Sequence, residues 1–378
     1  MTRAAFLPGA TIGVMGGGQL GRMFAVAARR MGYRAHIFSP ETNGPAAQFA
    51  DCATVADYND ENAVRSFARA VDVITFEFEN IPRTTIDWCE AECEVRPRGA
   101  AIETAQHRLR EKTFLSENGF PLPEFRSVRS LDELETAVKT LSSVSILKTA
   151  AWGYDGKGQQ RIGPRDLGEI WNSRSGDELV LERAVDFEKE ISIIVARDPC
   201  KNVAAFPVAE NIHRKHILDV TIVPAEISSS TANAAVQLAR DIAEKLDLIG
   251  LLAVEMFVEK SGRVLVNELA PRPHNSGHWS IEGCATSQFE QHVRAVCGLP
   301  LGSTSLLKPS AMANLLGDLW RNGQPHFAAG LAVPNVHLHL YGKSEARPRR
   351  KMGHLTATAD SATEAAELVR AAREKLAN

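Results

Sequence analysis

Leu252-Ala253-Val254-Glu255-Met256-Phe257-Val258 and Val264-Leu265-Val266-Asn267-Glu268 stand on either side of Lys260-Ser261-Gly262-Arg263. Two apolar, β-branched runs around a Ser-Gly pair read as an antiparallel hairpin. If Ser261-Gly262 is the two-residue turn, Lys260 pairs with Arg263, and counting back sets Glu255 directly opposite Glu268. Their Cβ atoms then lie about 4.5–5.5 Å apart on one face. Like charges so close are destabilising unless a cation lies between them or one is protonated. Few ligands, all of them oxygen, suit Mg2+ bound together with substrate phosphates. The apolar neighbours on both strands argue against two solvated edge residues.

Working outward, residues 144–148, 178–182, 190–197 and 203–210 are also strand-like, and many of these runs follow one another without a helix between. That order implies an antiparallel sheet, hence an α+β middle region over about 107–297. The region before it has a different rhythm. Short apolar strands over 11–15, 34–38 and 72–76 alternate with helices over 19–31 and 60–70, the βαβ pattern of an α/β parallel sheet. A charged helix opens at His107-Arg108-Leu109-Arg110-Glu111-Lys112 and ends at Asn118-Gly119, after which Pro121 and Pro123 mark a linker. The last part of the chain carries a strand over 335–341 and an amphipathic helix over 363–376.

Bulk composition excludes several classes. At 378 residues, 44% hydrophobic and 24% charged, the chain is globular and sized for two or three domains. A net charge of −3 gives no overall field for nucleic acid or an acidic membrane surface. Six cysteines are too sparse for a disulfide scaffold and read as reduced structural thiols. Nothing resembles a signal peptide, since Pro8-Gly9 breaks the first apolar stretch, and the run over 249–258 is too short to span a bilayer. A soluble, cytoplasmic protein is expected.

Gly16-Gly17-Gly18-Gln19-Leu20-Gly21 follows a strand and opens a helix, so its amides form an anion site. Three readings stay open: a dinucleotide such as NAD, another phosphate ligand, or a structural tight turn. The dinucleotide reading lacks its carboxylate, because the second strand ends Phe38-Ser39-Pro40. A second loop, Gly153-Tyr154-Asp155-Gly156-Lys157-Gly158-Gln159, follows Lys148 at the end of an apolar strand. It is either a phosphate-covering loop or an exposed hairpin tip, and the buried setting of Lys148 favours phosphate. His274 and His278 have a zinc-helix spacing, but Pro271, Pro273 and Gly277 exclude a regular helix there. Residues 270–278 are instead a rigid polar loop suited to substrate contacts. Lys343, Arg347, Arg349, Arg350 and Lys351 form a basic cluster, either a solvated face or a phosphate corner.

The order of these motifs resembles the ATP-grasp superfamily, and within it the 5-(carboxyamino)imidazole ribonucleotide synthetases of purine biosynthesis. The matching stretches are 16–23, 75–82, 153–159, 267–278, 287–292 and 351–354. Arg349 departs from the family pattern, which has glycine there, and Ala150-Ala151-Trp152 stand where relatives are more basic. The resemblance implies a Rossmann-like domain over 1–106, an ATP-grasp domain with antiparallel sheets over 107–297, and a small C-terminal domain over 298–378. It also implies a homodimer.

Carried onto matching positions, the resemblance implies that Arg108 and Lys148 contact ATP phosphates under a lid formed by Gly153, Tyr154, Asp155, Gly156, Lys157, Gly158 and Gln159. Glu182, Arg183, Ala184 and Val185 would hold the adenine edge, Glu190 the ribose, and His213 and Asn267 would line the site. Glu255 and Glu268 would ligate Mg2+. Aminoimidazole ribonucleotide would meet Gly18, Gln19, Leu20, Glu77, Tyr154, Asp155, Arg272, His274, Asn275, Lys343 and Arg350. Catalytic roles fall to Lys148, Asp155 and Arg272. The implied reaction uses ATP and bicarbonate, through carboxyphosphate and without biotin. Rival readings are another ATP-grasp purine ligase or formate-dependent transformylase, an NAD-dependent oxidoreductase, and a non-catalytic nucleotide sensor.

Overall fold

The computed structural model of the chain describes residues 5–141, 144–151, 158–174 and 177–377. Trp152, Gly153, Tyr154, Asp155, Gly156 and Lys157 therefore lie outside the described residues. Three sheets form among those described. The first is parallel and five-stranded, in the order Cys52–Val55, Arg34–Ser39, Thr11–Met15, Val73–Phe76, Glu94–Val95. The helix Gln19–Arg30 lays Leu20, Phe24 and Ala28 against this sheet, one residue per turn, in a core shared with Ile12, Val14 and Ile37. Asp60 caps the helix Glu61–Arg69 by accepting from the Ala63 amide at 3.0 Å. The sequence reading lacked the strand Cys52–Val55, a four-residue edge with no buried residue and so no apolar alternation to betray it.

The middle region builds two antiparallel sheets, as its helix-free succession of strands implies. The smaller runs Phe125–Val128, Leu179–Arg183, Ser145–Thr149, Gln159–Ile162. The larger is nine-stranded and begins Val264–Ala270, Gly250–Glu259, Phe187–Arg197, Ala209–Arg214, Ile217–Val223. It continues into the C-terminal region through Ser310–Leu316, Lys351–Thr358 and Val336–Leu340, so Val220 faces Ala313 across the junction. The single strand expected over 203–210 is two, Val203–Ala205 and Ala209–Arg214, divided around Pro207, which has no N–H to give to a ladder. The helix Ala362–Ala377 closes the C-terminal end of the sheet, burying Ala365, Val369, Ala372 and Leu376.

The deciding hairpin reaches its expected pairing by two compensating departures. Val258 pairs with Val264, and the Glu259 amide bonds the Arg263 carbonyl at 2.9 Å, so the connection is the three residues Lys260-Ser261-Gly262. Gly262 takes the positive φ of +82° that such a loop requires. Alone, this would set Glu255 opposite Asn267. A bulge between Met256↔Val266 and Glu255↔Glu268 adds one residue on the second strand and restores the facing glutamates.

His292 ties the first region to the second. Its Nε2 lies 2.9 Å from Thr75 Oγ1, across 217 residues of sequence, and the imidazole is buried. Burial pushes its pKa down to about 3, so it stays neutral in the folded state while the unfolded side chain protonates near 6.5. A depressed histidine pKa gives stability that is intact above 6.5 and is lost as pH falls below it, by about 1.4 kcal/mol per pH unit. His292→Gln, which keeps a polar partner for Thr75 without a titrating group, is expected to lose that much less stability per unit between pH 6.5 and 5. Urea unfolding of both proteins at pH 7 and 5 measures it, and equal losses would discard the assignment.

Candidate active site

The first glycine loop already holds an anion. Glu77, just past the strand Val73–Phe76, accepts from the Gly18 amide through Oε1 and from the Gly21 amide through Oε2, the latter at 2.8 Å. Gly16 has φ +118°, and a Cβ there would stand 2.3 Å from Glu77 Cγ. The carboxylate thus sits where a dinucleotide pyrophosphate would lie against the helix start. The dinucleotide reading of this loop is corrected: the Gly18 and Gly21 amides serve an internal carboxylate. Burial pushes the Glu77 pKa up, against these two hydrogen bonds and the charges of Arg272 and Lys343. Leu20 belongs to the core, so its side chain faces away from any ligand, whereas Gln19 is half-buried at the rim.

Between the two antiparallel sheets lies a cluster of charges. Lys148, on the strand Ser145–Thr149, places Nζ 3.1 Å from Glu182 Oε2, and Lys112 Nζ lies at the same distance from the same oxygen. Burial alone would raise the Glu182 pKa, but the two ammonium groups outweigh it and hold it below the usual range. Glu182 Oε1 is buried and has no hydrogen-bond partner among the described residues. Arg108 donates through Nη1 to the Thr149 carbonyl at 2.9 Å. The amides of Arg183 and Ala184 are taken by the Glu124 and Val144 carbonyls, at 2.8 and 3.0 Å. They brace the strand end, so an adenine edge expected to use this backbone cannot use those two donors. Gly158, the first described residue beyond the second loop, has φ +73° and its carbonyl accepts from the Thr149 amide at 2.9 Å. Gln159 faces Lys148 across the ladder and bonds His216 Nδ1 at 3.0 Å.

Opposite lies the hairpin. Burial and the facing Glu268 push the Glu255 pKa up to about 7. The same two influences push Glu111 up to about 8, although its Oε2 accepts from the Leu269 amide at 2.9 Å. Glu190 pairs with His213 from the neighbouring strands. Burial alone would lower the His213 pKa, but the Glu190 carboxylate outweighs it and holds it above its ordinary value. His274 Nε2 stands 3.6 Å from Glu255 Oε1, and burial, with Arg272 and Lys351 nearby, keeps this imidazole neutral. Among the described residues no cluster of three histidine, cysteine or carboxylate side chains forms a metal cage. Two facing carboxylates whose mutual repulsion a cation would relieve have the chemistry to hold an ion shared with a phosphate ligand.

The loop after the hairpin turns toward the first region. Arg272 grips Glu79 with both ends of its guanidinium, Nη2 donating to Oε1 at 3.2 Å. His274 and His278 share no helix, and the single turn Asn275–Gly277 lies between them. Asn275 is buried, with no partner for Nδ2 among the described residues. The basic cluster divides. Arg347 is exposed and paired with Glu345, and Arg349 reaches the Lys215 carbonyl at 3.3 Å. Arg349 keeps φ +66°, the conformation glycine favours, held by its amide on Asp318 Oδ2 at 2.7 Å. Lys343 is instead half-buried over the Tyr341 ring, its pKa pushed down to about 8 by burial and by Arg350, while Glu77 pulls the other way. The structure therefore brings Lys343 toward Glu77 of the glycine loop, with Arg350 near Lys343 and bonded to the Glu345 carbonyl at 3.0 Å, and leaves Arg347 and Arg349 outside. Sequence reading missed Glu79, Glu111, Lys112 and Lys351 as site residues. For Lys112 a signal existed, since it stands four residues after Arg108 on one helix face.

Comparison with known proteins agrees with this architecture. Residues 9–106 match the ribonucleotide synthetase preATP-grasp domain, 113–289 the ATP-grasp domain, and 310–368 the phosphoribosylaminoimidazole carboxylase C-terminal domain. The N5-carboxyaminoimidazole ribonucleotide synthase of Brucella melitensis is 46% identical over 359 residues, covering 94% of this chain and 98% of that protein. That of Bacillus subtilis is 42% identical over 361 residues, covering 94% and 93%. A solved ADP complex of an N5-carboxyaminoimidazole ribonucleotide synthetase superposes with a TM-score of 0.92 at 43% identity, over 98% of both chains. The Aspergillus clavatus enzyme in complex with ADP and 5-aminoimidazole ribonucleotide gives a TM-score of 0.90 at 30% identity, over 98% of this chain and 99% of that one. With three domain matches in order and such identity along nearly the whole length, the chain belongs to the N5-carboxyaminoimidazole ribonucleotide synthase family.

Proposed function

We propose that the chain carboxylates 5-aminoimidazole ribonucleotide with bicarbonate, converting ATP to ADP and phosphate. The observation that carries this reading is one cleft holding both signs of charge: Glu255 facing Glu268 on one wall, Lys148 and Arg108 on the other. Glu255 and Glu268 would hold Mg2+, which when bound screens the charge on the transferred phosphoryl group. Lys148 and Arg108 bear on the same phosphates from the opposite sheet. The orphan oxygen of Glu182 is a buried acceptor suited to the adenine amino group. Glu190 would take the ribose hydroxyls, with His213 holding its carboxylate in place.

Bicarbonate is a poor electrophile, because attack at its carbon must expel hydroxide. In the proposed reaction a bicarbonate oxygen attacks the γ-phosphorus and ADP leaves, giving carboxyphosphate. The exocyclic amine then forms the C–N bond, phosphate leaves with the electron pair of the broken C–O bond, and the amine gives up one proton. Arg272, oriented by Glu79, together with His274, Asn275, Lys343 and Arg350 would position the ribonucleotide. The lid residues Gly153 to Lys157 would exclude water from the reactive intermediate. Borders near 106 and 297, a homodimer and a cytoplasmic location complete the proposal. Glu77 in the glycine loop weighs against the oxidoreductase reading, since it fills the dinucleotide's anion site.

Phosphate release by the purified chain, with bicarbonate and the ribonucleotide omitted in turn, tests the assignment. Release should need ATP and rise when both are supplied. ATP turnover indifferent to the ribonucleotide would sink it.

A further inference from the structure

Two lysines share one oxygen of Glu182, but their access differs. Side-chain exposure is 1% for Lys112, 13% for Lys148 and 3% for Glu182. One ammonium is sealed beneath the carboxylate while the other borders the cleft. Resting on the nucleotide reading above, we propose that Lys112 is a positioning residue that keeps Glu182 paired when Lys148 leaves it for the nucleotide's phosphates.

A phosphate arriving in the cleft competes with Glu182 for the single ammonium charge of Lys148. Its flexible four-carbon stem lets Nζ swing toward the cleft without backbone movement. What opposes the swing is the carboxylate left behind, because a buried charge stripped of its partner is strongly unfavourable. Lys112 removes that obstacle, provided it stays put. The helix Arg108–Glu117 ensures this, since Arg108, Glu111 and Lys112 lie at i, i+3 and i+4 on one face. Arg108 is bonded to Thr149 of the small sheet and Glu111 to Leu269 beside the metal-binding pair, at 2.9 Å each. Lys112 itself also reaches the Asn267 carbonyl at 3.5 Å. A helix tied to both sheets does not follow Lys148 into the cleft. Lys112 and Arg108 also bear on Lys148 with like charge, a repulsion that an arriving phosphate would offset.

Calorimetric titration with MgADP and Michaelis constants for both substrates test the assignment. K112M should weaken MgADP binding and raise the KM for ATP by at least about tenfold, with the ribonucleotide KM held within about twofold. K112R should stay within about threefold of wild type, because it retains the charge. Wild-type affinity in K112M overturns the role of Lys112 and leaves the nucleotide reading standing. A wild-type chain that does not bind MgADP overturns that reading and this one with it. Should K112M not fold, the MgADP-bound structure of the wild-type chain decides. Lys148 off Glu182 with Lys112 still on it supports the role, and Lys148 remaining on Glu182 refutes it.

Discussion

Glu268→Gln is expected to lower kcat by about 10²–10³-fold, the scale seen when one group that stabilises developing charge is removed, while leaving the fold as stable as before or more so. The two halves of this expectation come from one geometry. Glu255 and Glu268 face each other on paired strands, and burial with the like charge opposite already pushes the Glu255 pKa up to about 7. Removing the charge of Glu268 relieves its repulsion of Glu255 and Glu111, which outweighs the attraction it gives up toward Arg272, paired in any case with Glu79. Catalysis does lose, because one carboxylate of the proposed Mg2+ pair is gone and the phosphates lose their metal. Glu268 is exposed to the cleft, so an amide of the same shape disturbs no core packing. Phosphate release and thermal unfolding with and without Mg2+ give both readouts. The variant should unfold no earlier than wild type in EDTA and should lack the Mg2+- and ATP-dependent gain. Retained turnover would remove the metal role from this pair.

The largest expected loss of stability lies elsewhere, at Glu77. Two backbone N–H donors, from Gly18 and Gly21, converge on its two oxygens at the start of the helix Gln19–Arg30. A carboxylate satisfies both and also complements the positive end of the helix. A carboxamide cannot, since whichever way it turns, its NH2 meets one of the two donors. Glu77→Gln should therefore be almost as damaging as Glu77→Ala, each costing about 3 kcal/mol, from hydrogen bonds to a charged group worth roughly 1.5–3 kcal/mol apiece less the relief of burying that charge. Chemical denaturation of both variants measures it. A Gln variant as stable as wild type would show that the loop does not depend on the charge. The same result would leave the loop's amides open to an external anion.

Much of the site was readable in residue order, for a physical reason. The hairpin glutamates, Lys148 at its strand end and the 270–278 loop are set by period and punctuation: alternating apolar residues, a Ser-Gly pair, clustered prolines. Such signals encode neighbours a few positions away. The register count shows where this stops. A two-residue turn and an unbulged strand give the facing glutamates, and so do the actual three-residue loop and bulge, because each departure shifts the register by one in opposite senses. Neither departure leaves a mark in the apolar pattern.

By itself, then, the order of residues determined the parallel first region, the antiparallel middle one, and the opposed carboxylates and lysines that make a phosphate chemistry plausible. Tertiary structure alone decided what each charge is for. It seated Glu77, 59 positions from Gly18, in the glycine loop's anion site, and it turned Arg349 away while bringing Lys343 in. It also laid Lys112 and Lys148, which stand 70 and 34 positions from their carboxylate in the chain, on the same oxygen of Glu182. The reason is common to all three. A buried charge takes its meaning from whatever partner the packing places within about 4 Å, and that partner is chosen by the sheets and helices brought together, at separations no periodicity records.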